Sequence, residues 1–207
     1  MALKIISLTD LINSDQTEED IKKLLFSFET IKSRSESAAR DVEEFLHNKA
    51  IQFERMSIAR TYLVMSTYKN KPLLAGYFAL STKPLIIPKR QYSKISKNLK
   101  KRLMGFGHKT EQDAYEVKGY LLGQLGKNYS ADAQIAKCVT GQDILHLSYS
   151  KVLDAHRIVG GRILYLECEH HEKVKKFYND NGFSELAHYE SENKLCLMVQ
   201  QISKLQY

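Results

Sequence analysis

The chain has 207 residues, 43% of them hydrophobic and 27% charged. That is ordinary globular composition, long enough for one domain with a sizeable core and unlike a disordered chain. No apolar run reaches the roughly 20 residues of a membrane helix, and three widely spaced cysteines, Cys138, Cys168 and Cys196, form neither a disulfide framework nor a CxxC zinc knuckle.

Residues 1–8 turn polar too early for a leader and read as a first strand, which predicts a cytoplasmic protein. Thr17, Glu18, Glu19 and Asp20 then open a helix whose apolar face is Ile21, Leu24, Leu25 and Phe28. A second helix begins near Ser37, with Val42, Phe45, Leu46, Ala50 and Phe53 as its buried stripe. From Ala59 the period changes. Residues 59–65 and 73–80 are rich in β-formers and predict an antiparallel hairpin closed by a turn at residues 69–72. Residues 85–88 extend or follow it.

Net charge is +7, and it is concentrated. Lys83, Lys89, Arg90, Lys94, Lys97, Lys100, Lys101, Arg102 and Lys109 share one segment that contains no Asp or Glu. The segment is either a face for an anionic partner (a phosphorylated cofactor, nucleic acid or acidic substrate) or a solvated helix face. Within it, Tyr92, Ile95, Leu99 and Leu103 predict an amphipathic basic helix over 91–104, part of an insertion at about 83–114.

Residues 115–126 read as one long strand interrupted by glycines, and 127–140 as a loop. A helix starts near Gly141, carries Ile144, Leu145, Leu147, Ser148 and Val152, and ends at Gly160 and Gly161. A strand from Ile163, a short helix ending in Phe177 and Tyr178, a stop at Asn181, Gly182 and Phe183, and a closing strand at 194–200 complete the chain.

Three places could hold chemistry. The loop before Gly141, containing Lys137 and Cys138, offers backbone N–H groups and the positive end of a helix dipole, an anion site suited to pyrophosphate; many strand–helix joints share that look. Tyr178 is either a core residue beside Val174 and Phe177 or a proton donor, since a phenol of pKa about 10 is protonated at neutral pH. Glu167 and Glu169 share a strand face beside His170 and His171. They read as a solvated strand end, a base at Glu167, or metal ligands, although no established metal spacing is present.

The order of these elements resembles the GNAT superfamily of N-acetyltransferases over about 200 residues. The likeness is sharpest from Ile163 to Phe183, where Leu164, Tyr165, Leu166, Glu167 and Cys168 look like the fifth strand. Phe177, Tyr178, Asn179, Asp180, Asn181, Gly182 and Phe183 look like the family's tyrosine-then-glycine-phenylalanine ending. Residues 41–50 and 60–64 are similar to a bacterial and mobile-element subset. The pyrophosphate loop departs from the family pattern and keeps only its last glycine, Gly141.

The resemblance implies an α/β fold with a mixed sheet of about six or seven strands flanked by helices and splayed fourth and fifth strands, as a single domain over 1–207. It implies an acetyl-CoA-dependent N-acetyltransferase acting by direct attack of a primary amine on the thioester. Leu125, Gly126 and Lys127 would meet the pantetheine arm, and the Leu125 N–H would polarise the carbonyl. Amides of Lys137, Cys138, Val139, Thr140, Gly141 and Gln142 would cradle the pyrophosphate. His171, in a position where the family often has Asn, and Phe177 would also touch the cofactor. Tyr178 would protonate the departing thiolate, and Glu167 is the candidate base; no metal is implied. The acceptor is a small molecule, a peptide or a protein amine, or, in a toxin-like variant, aminoacyl-tRNA drawn by the basic segment. A non-catalytic binding module on the same fold is the third class. Monomer and homodimer both fit, without a membrane.

Overall fold

The computed structural model describes residues 3–31, 37–97, 100, 108–109, 114–186, 189, 191 and 193–205. Its strands are β1 (Lys4–Ser7), β2 (Arg60–Tyr68), β3 (Lys71–Thr82), β4 (Leu85–Ile87), β5 (His108–Lys109), β6 (Tyr115–Val117), β7 (Gly119–Lys127), β8 (Ile163–Cys168), β9 (Ser184–Glu185) and β10 (Cys196–Gln201). Seven hydrogen-bond in the order β1-β2-β3-β7-β8-β10-β9, and three form a second sheet, β4-β6-β5. β7 and β8 run parallel, while the β1–β2, β2–β3, β8–β10 and β9–β10 pairs are antiparallel. This is the mixed seven-stranded α/β sheet expected from the sequence. The chain forms two compact units, residues 1–81 with 123–148 and residues 82–122 with 149–207.

The first unit holds the early helices α1 (Leu8–Ile12), α2 (Glu18–Phe26), α3 (Ser37–Glu44) and α4 (Ala50–Arg55), with a π-helical segment, Phe45–Lys49, joining the last two. α2 begins as the acidic start predicts. The Thr17 hydroxyl accepts from the Asp20 N–H at 3.2 Å and donates to its carboxylate at 2.7 Å, satisfying one donor that the first turn leaves open. Ile21, Leu25, Phe28, Phe45, Leu46, Ala50, Leu63 and Tyr77 share one core. The β2–β3 turn is tighter than predicted. Lys69 and Asn70 both take positive φ, 49° and 60°, a two-residue hairpin turn whose twist matches the strands. Lys71 and Pro72 are therefore already inside β3, Pro72 opposite Thr67.

One buried carboxylate escaped the sequence reading. Glu54 is 4% exposed and accepts from the Thr9 hydroxyl, from Arg60 Nη1 at 3.2 Å and from the Thr61 N–H at 2.8 Å. A buried charge persists only when paired and hydrogen-bonded in this way.

In the second unit Leu85, Ile87, Ile95, Val117, Ile163, Tyr165, Leu197 and Val199 form the core. Here the structure corrects three predicted elements. The helix expected over 91–104 is interrupted: α5 (Lys89–Lys94) stops where the buried Ile95 turns to extended backbone, φ −72° and ψ 133°, and Lys97 and Lys100 are helical again. Tyr92 stacks on Tyr115 at 4.3 Å. Leu99 and Leu103 of the predicted face lie outside the described residues. The long strand over 115–126 is two strands, β6 and β7, parted at Lys118 and belonging to different sheets. Gly119 permits the change, since a Cβ there would lie 2.7 Å from the Ile163 carbonyl oxygen. Third, the loop over 127–140 contains a short helix, α6 (Ala131–Ala136).

Candidate functional site

In the first unit, β7 ends at Lys127 and passes directly into a buried anchor. Asn128 is 1% exposed. Its Nδ2 donates to the carbonyls of Leu74 at 2.7 Å and Ser27 at 3.1 Å. Its Oδ1 accepts from the N–H groups of Glu29 at 3.0 Å and Ser130 at 2.9 Å, and its own N–H donates to the Ala75 carbonyl at 2.9 Å. One side chain thus ties the exit of β7 to β3 and to the segment after α2. Composition gave no signal for it, because a single Asn before a polar stretch is an ordinary loop residue.

The loop continues through α6, which ends when Lys137 adopts left-handed φ 45°. The helix that follows is α7 (Gly141–Val159). Thr140 closes its N-terminus reciprocally with Asp143. Its hydroxyl accepts from the Asp143 N–H at 3.1 Å, and its own N–H and hydroxyl each donate to Asp143 Oδ2 at 2.7 Å. This is a capping box with Asp in the third helical position. Those bonds hold the Asp143 carboxyl below its ordinary value, with His146 and Lys127 adding to the effect.

The six amides expected to cradle a pyrophosphate are therefore unequal. The Lys137 N–H donates to the Ala133 carbonyl at 3.1 Å, and the Thr140 N–H is held by Asp143. The amides of Cys138, Val139, Gly141 and Gln142 meet no acceptor among the described residues. The Val139 side chain is buried at 4% exposure, so it is packed away from the exposed loop face. Lys137 is exposed and Cys138 half-buried. Gly126 is where the β7 backbone passes against the core: a Cβ there would stand 2.7 Å from both Phe28 Cζ and Val42 Cγ1.

In the second unit, β7 and β8 pair in register at Gly119 with Ile163, Tyr120 with Leu164 and Leu121 with Tyr165. The next positions, Leu122 and Leu166, are both in strands and are not paired with each other. β8 ends at Cys168, so Glu169 does not share its face with Glu167. Glu167 is exposed on β8 opposite Leu197. The four acidic and imidazole residues do not gather as one set. His171 instead caps the next helix, α8 (Glu172–Asp180), with Nδ1 accepting from the Lys173 N–H at 3.2 Å.

Tyr178 lies near the end of α8. Its ring meets Phe177 edge-on at 5.1 Å and Phe183 edge-on at 5.6 Å. Its hydroxyl meets no hydrogen-bond partner among the described residues. Burial, and then the neighbouring Cys168 and Tyr149, push the phenol well above its ordinary value. It is a neutral O–H donor at physiological pH. Tyr149, whose hydroxyl donates to the Asn181 carbonyl at 3.3 Å, supports the turn that ends α8.

No known family profile and no curated protein matches the sequence. Solved structures do match. A tyrosine-to-phenylalanine mutant of KacT aligns at 20% identity over 99% of this chain and 98% of that one, with a TM-score of 0.64. AtaTR bound with acetyl-CoA aligns at 20% identity over 98% and 95%, with a TM-score of 0.58. AtaT complexed with acetyl-methionyl-tRNAfMet aligns at 19% identity over 98% and 96%, with a TM-score of 0.63. The chain has the fold of these proteins, the GNAT fold. No helix among the described residues is long and apolar enough to cross a membrane.

Proposed function

We propose that this chain is an acetyl-CoA-dependent N-acetyltransferase. The observation that carries the reading is the early end of β7–β8 pairing. Two parallel strands stop hydrogen-bonding after Leu121 and Tyr165 while both continue. The unpaired edge can accept an extended ligand as an added strand. The AtaTR structure bound with acetyl-CoA supports the choice of ligand.

On this reading the pantetheine arm lies along Leu125, Gly126 and Lys127. The amides of Cys138, Val139, Gly141 and Gln142 receive the pyrophosphate, aided by the dipole of α7 and the charge of Lys137. The Leu125 N–H polarises the thioester carbonyl and holds the developing oxyanion. Glu167, directly or through water, takes a proton from the amine, which attacks the thioester. Tyr178 gives its proton to the coenzyme A thiolate as the C–S bond breaks. His171 orders the start of α8, and Phe177 flanks the Tyr178 ring. Holding amine and thioester together supplies much of the rate gain.

The acceptor we favour is an amino acid carried on tRNA. The AtaT complex with acetyl-methionyl-tRNAfMet has the same fold, and the basic stretch over 83–109 supplies phosphate-binding charge. A free small-molecule, peptide or protein amine is the other reading. The test is coenzyme A release from acetyl-CoA against aminoacyl-tRNA, peptides and small amines at two salt concentrations. Acetylation of charged tRNA that weakens steeply with salt supports the tRNA reading. Equal turnover of a free amine, or indifference to salt, selects the other. No acetyl-CoA effect on melting temperature and no turnover with any acceptor would leave only the fold.

A further inference from the structure

Apart from the acetyl-transfer residues, the second unit gathers a set of soft metal ligands at one end of its sheet. Cys168 and Cys196 are directly opposite each other in the antiparallel β8–β10 pair. Glu185 is opposite Met198, two residues along β10 from Cys196. Directly opposed residues, and residues two apart on a strand, project from the same face. Cys168, Cys196 and Glu185 therefore share a face. His170 follows β8 by two residues and bends back onto it, its Nδ1 standing 3.0 Å from Cys196 Sγ. One ligand atom from each of His170, Glu185 and Cys196 lies within 4.8 Å of the others.

The geometry points to a Zn²⁺ site formed by His170, Cys196 and Glu185, with solvent at the fourth position. Zinc–sulfur and zinc–nitrogen bonds of about 2.3 and 2.0 Å in a tetrahedron place ligand atoms about 3.5 Å apart. The three protein atoms lie within 4.8 Å of one another, so modest side-chain shifts would close them on an ion. His170 is exposed while Cys196 is buried, so an ion can enter from solvent and finish against the thiol.

The charge also closes. One thiolate, a carboxylate and a neutral imidazole around a divalent ion leave no net charge. Lys175 Nζ is held 2.8 Å from Glu185 Oε2, leaving the other carboxylate oxygen for the metal. The Cys196 thiol releases its proton to solvent on coordinating, and binding weakens as pH falls. Glu172, which also faces Cys196, adds negative potential. The ion would clip β8, β9 and β10 together at the end from which α8 departs. A structural role of this kind is separate from acetyl transfer.

The sequence hid the site because its three ligands are spread over residues 170–196 with no CxxC or HxxxH spacing. Only antiparallel pairing brings them together.

The test uses the full chain, freed of metal with a chelator and titrated with Zn²⁺ in a calorimeter and with Co²⁺ in a spectrophotometer. The expected result is one ion per chain, a thiolate-to-cobalt charge-transfer band, visible bands of tetrahedral intensity, and a raised melting temperature with Zn²⁺. His170→Ala, which alters an exposed side chain, should weaken binding at least about tenfold. Glu185→Gln should do the same. Cys196→Ser should abolish the charge-transfer band; should it fail to fold, the His170 and Glu185 variants still decide. Cobalt bound without a thiolate band, or zinc affinity unchanged in both His170→Ala and Glu185→Gln, overturns the proposal. Neither outcome touches acetyl transfer, whose assay is separate.

Discussion

The Phe183 N–H donates to the Tyr178 carbonyl at 3.0 Å, and the two rings meet edge-to-face at 5.6 Å. Together with the Gly182 N–H to the Asn179 carbonyl at 3.0 Å and the left-handed Gly182, φ 88°, this is a Schellman stop complete with its hydrophobic contact. The turn that ends α8 therefore also fixes the backbone and one ring edge of Tyr178. Gly182→Ala should cost about 1–2 kcal/mol from the left-handed backbone alone. The added Cβ would also stand 2.7 Å from Gln200 Nε2. Chemical denaturation measures the loss, and kcat should fall with it as Tyr178 loses its position.

Tyr178→Phe keeps both edge-on ring contacts and removes only the O–H. Its melting temperature should stay near the wild type and acetyl-CoA should still bind, while kcat drops by about 10²–10⁴ if the phenol is the general acid. Thiol release and calorimetry read the two separately, and near-normal turnover would remove Tyr178 from the mechanism.

The raised phenol also sets a pH expectation. A general acid must be protonated, and an ordinary tyrosine would begin to fail near pH 10. Because burial raises Tyr178 above that value, its limb in the kcat profile should appear only at still higher pH. The same shift links to stability. The contribution is fully present below the unfolded tyrosine value and is lost as pH rises toward the higher folded one. Alkaline denaturation of wild type against Tyr178→Phe tests this.

Asp143 places a carboxylate in the first turn of α7, where the proposed pyrophosphate would also bind. Asp143→Asn keeps an acceptor for Thr140 and removes the competing charge. Coenzyme A should bind about two- to fivefold more tightly at low salt, from about 0.3–1 kcal/mol of dipole interaction. Thr140→Ala breaks the box from the other side and should cost about 1 kcal/mol of stability. Because the Asp143 carboxyl is lowered in the folded chain, its stabilisation is present above the unfolded value. It fades as pH falls toward the folded one.

Asn128→Ala should be the most damaging loop substitution. It removes the side chain's bonds to two carbonyls and two N–H groups. At about 1–3 kcal/mol for each buried group left unpaired, a loss above about 3 kcal/mol is expected in urea unfolding. Asn128→Asp keeps the two acceptor bonds but sets a carboxylate against the carbonyls of Leu74 and Ser27, and should also destabilise.

Local pattern was enough to read some of this protein. Thr17 with its acidic first turn, the 3.6-residue apolar stripe after it, Gly160 and Gly161 ending α7, and the Gly182 stop are all decided by forces within a few residues. The chain carries those signals in plain view. The GNAT likeness around Tyr178 was legible for the same reason, since the Schellman turn writes its glycine and its apolar partner into consecutive positions.

What sequence left open depended on partners far along the chain. Ile95 ends α5 because its side chain is taken into a core that local helical period does not reveal. Residues 115–126 split because β6 and β7 pair with different strands. Asn128 and Glu54 look like loop and helix-surface residues until distant backbone groups surround them. The opposition of Cys168 and Cys196 likewise exists only through strand register. Helix caps and stripes are set by neighbours in sequence, whereas sheet pairing and buried polar satisfaction are set by neighbours in space.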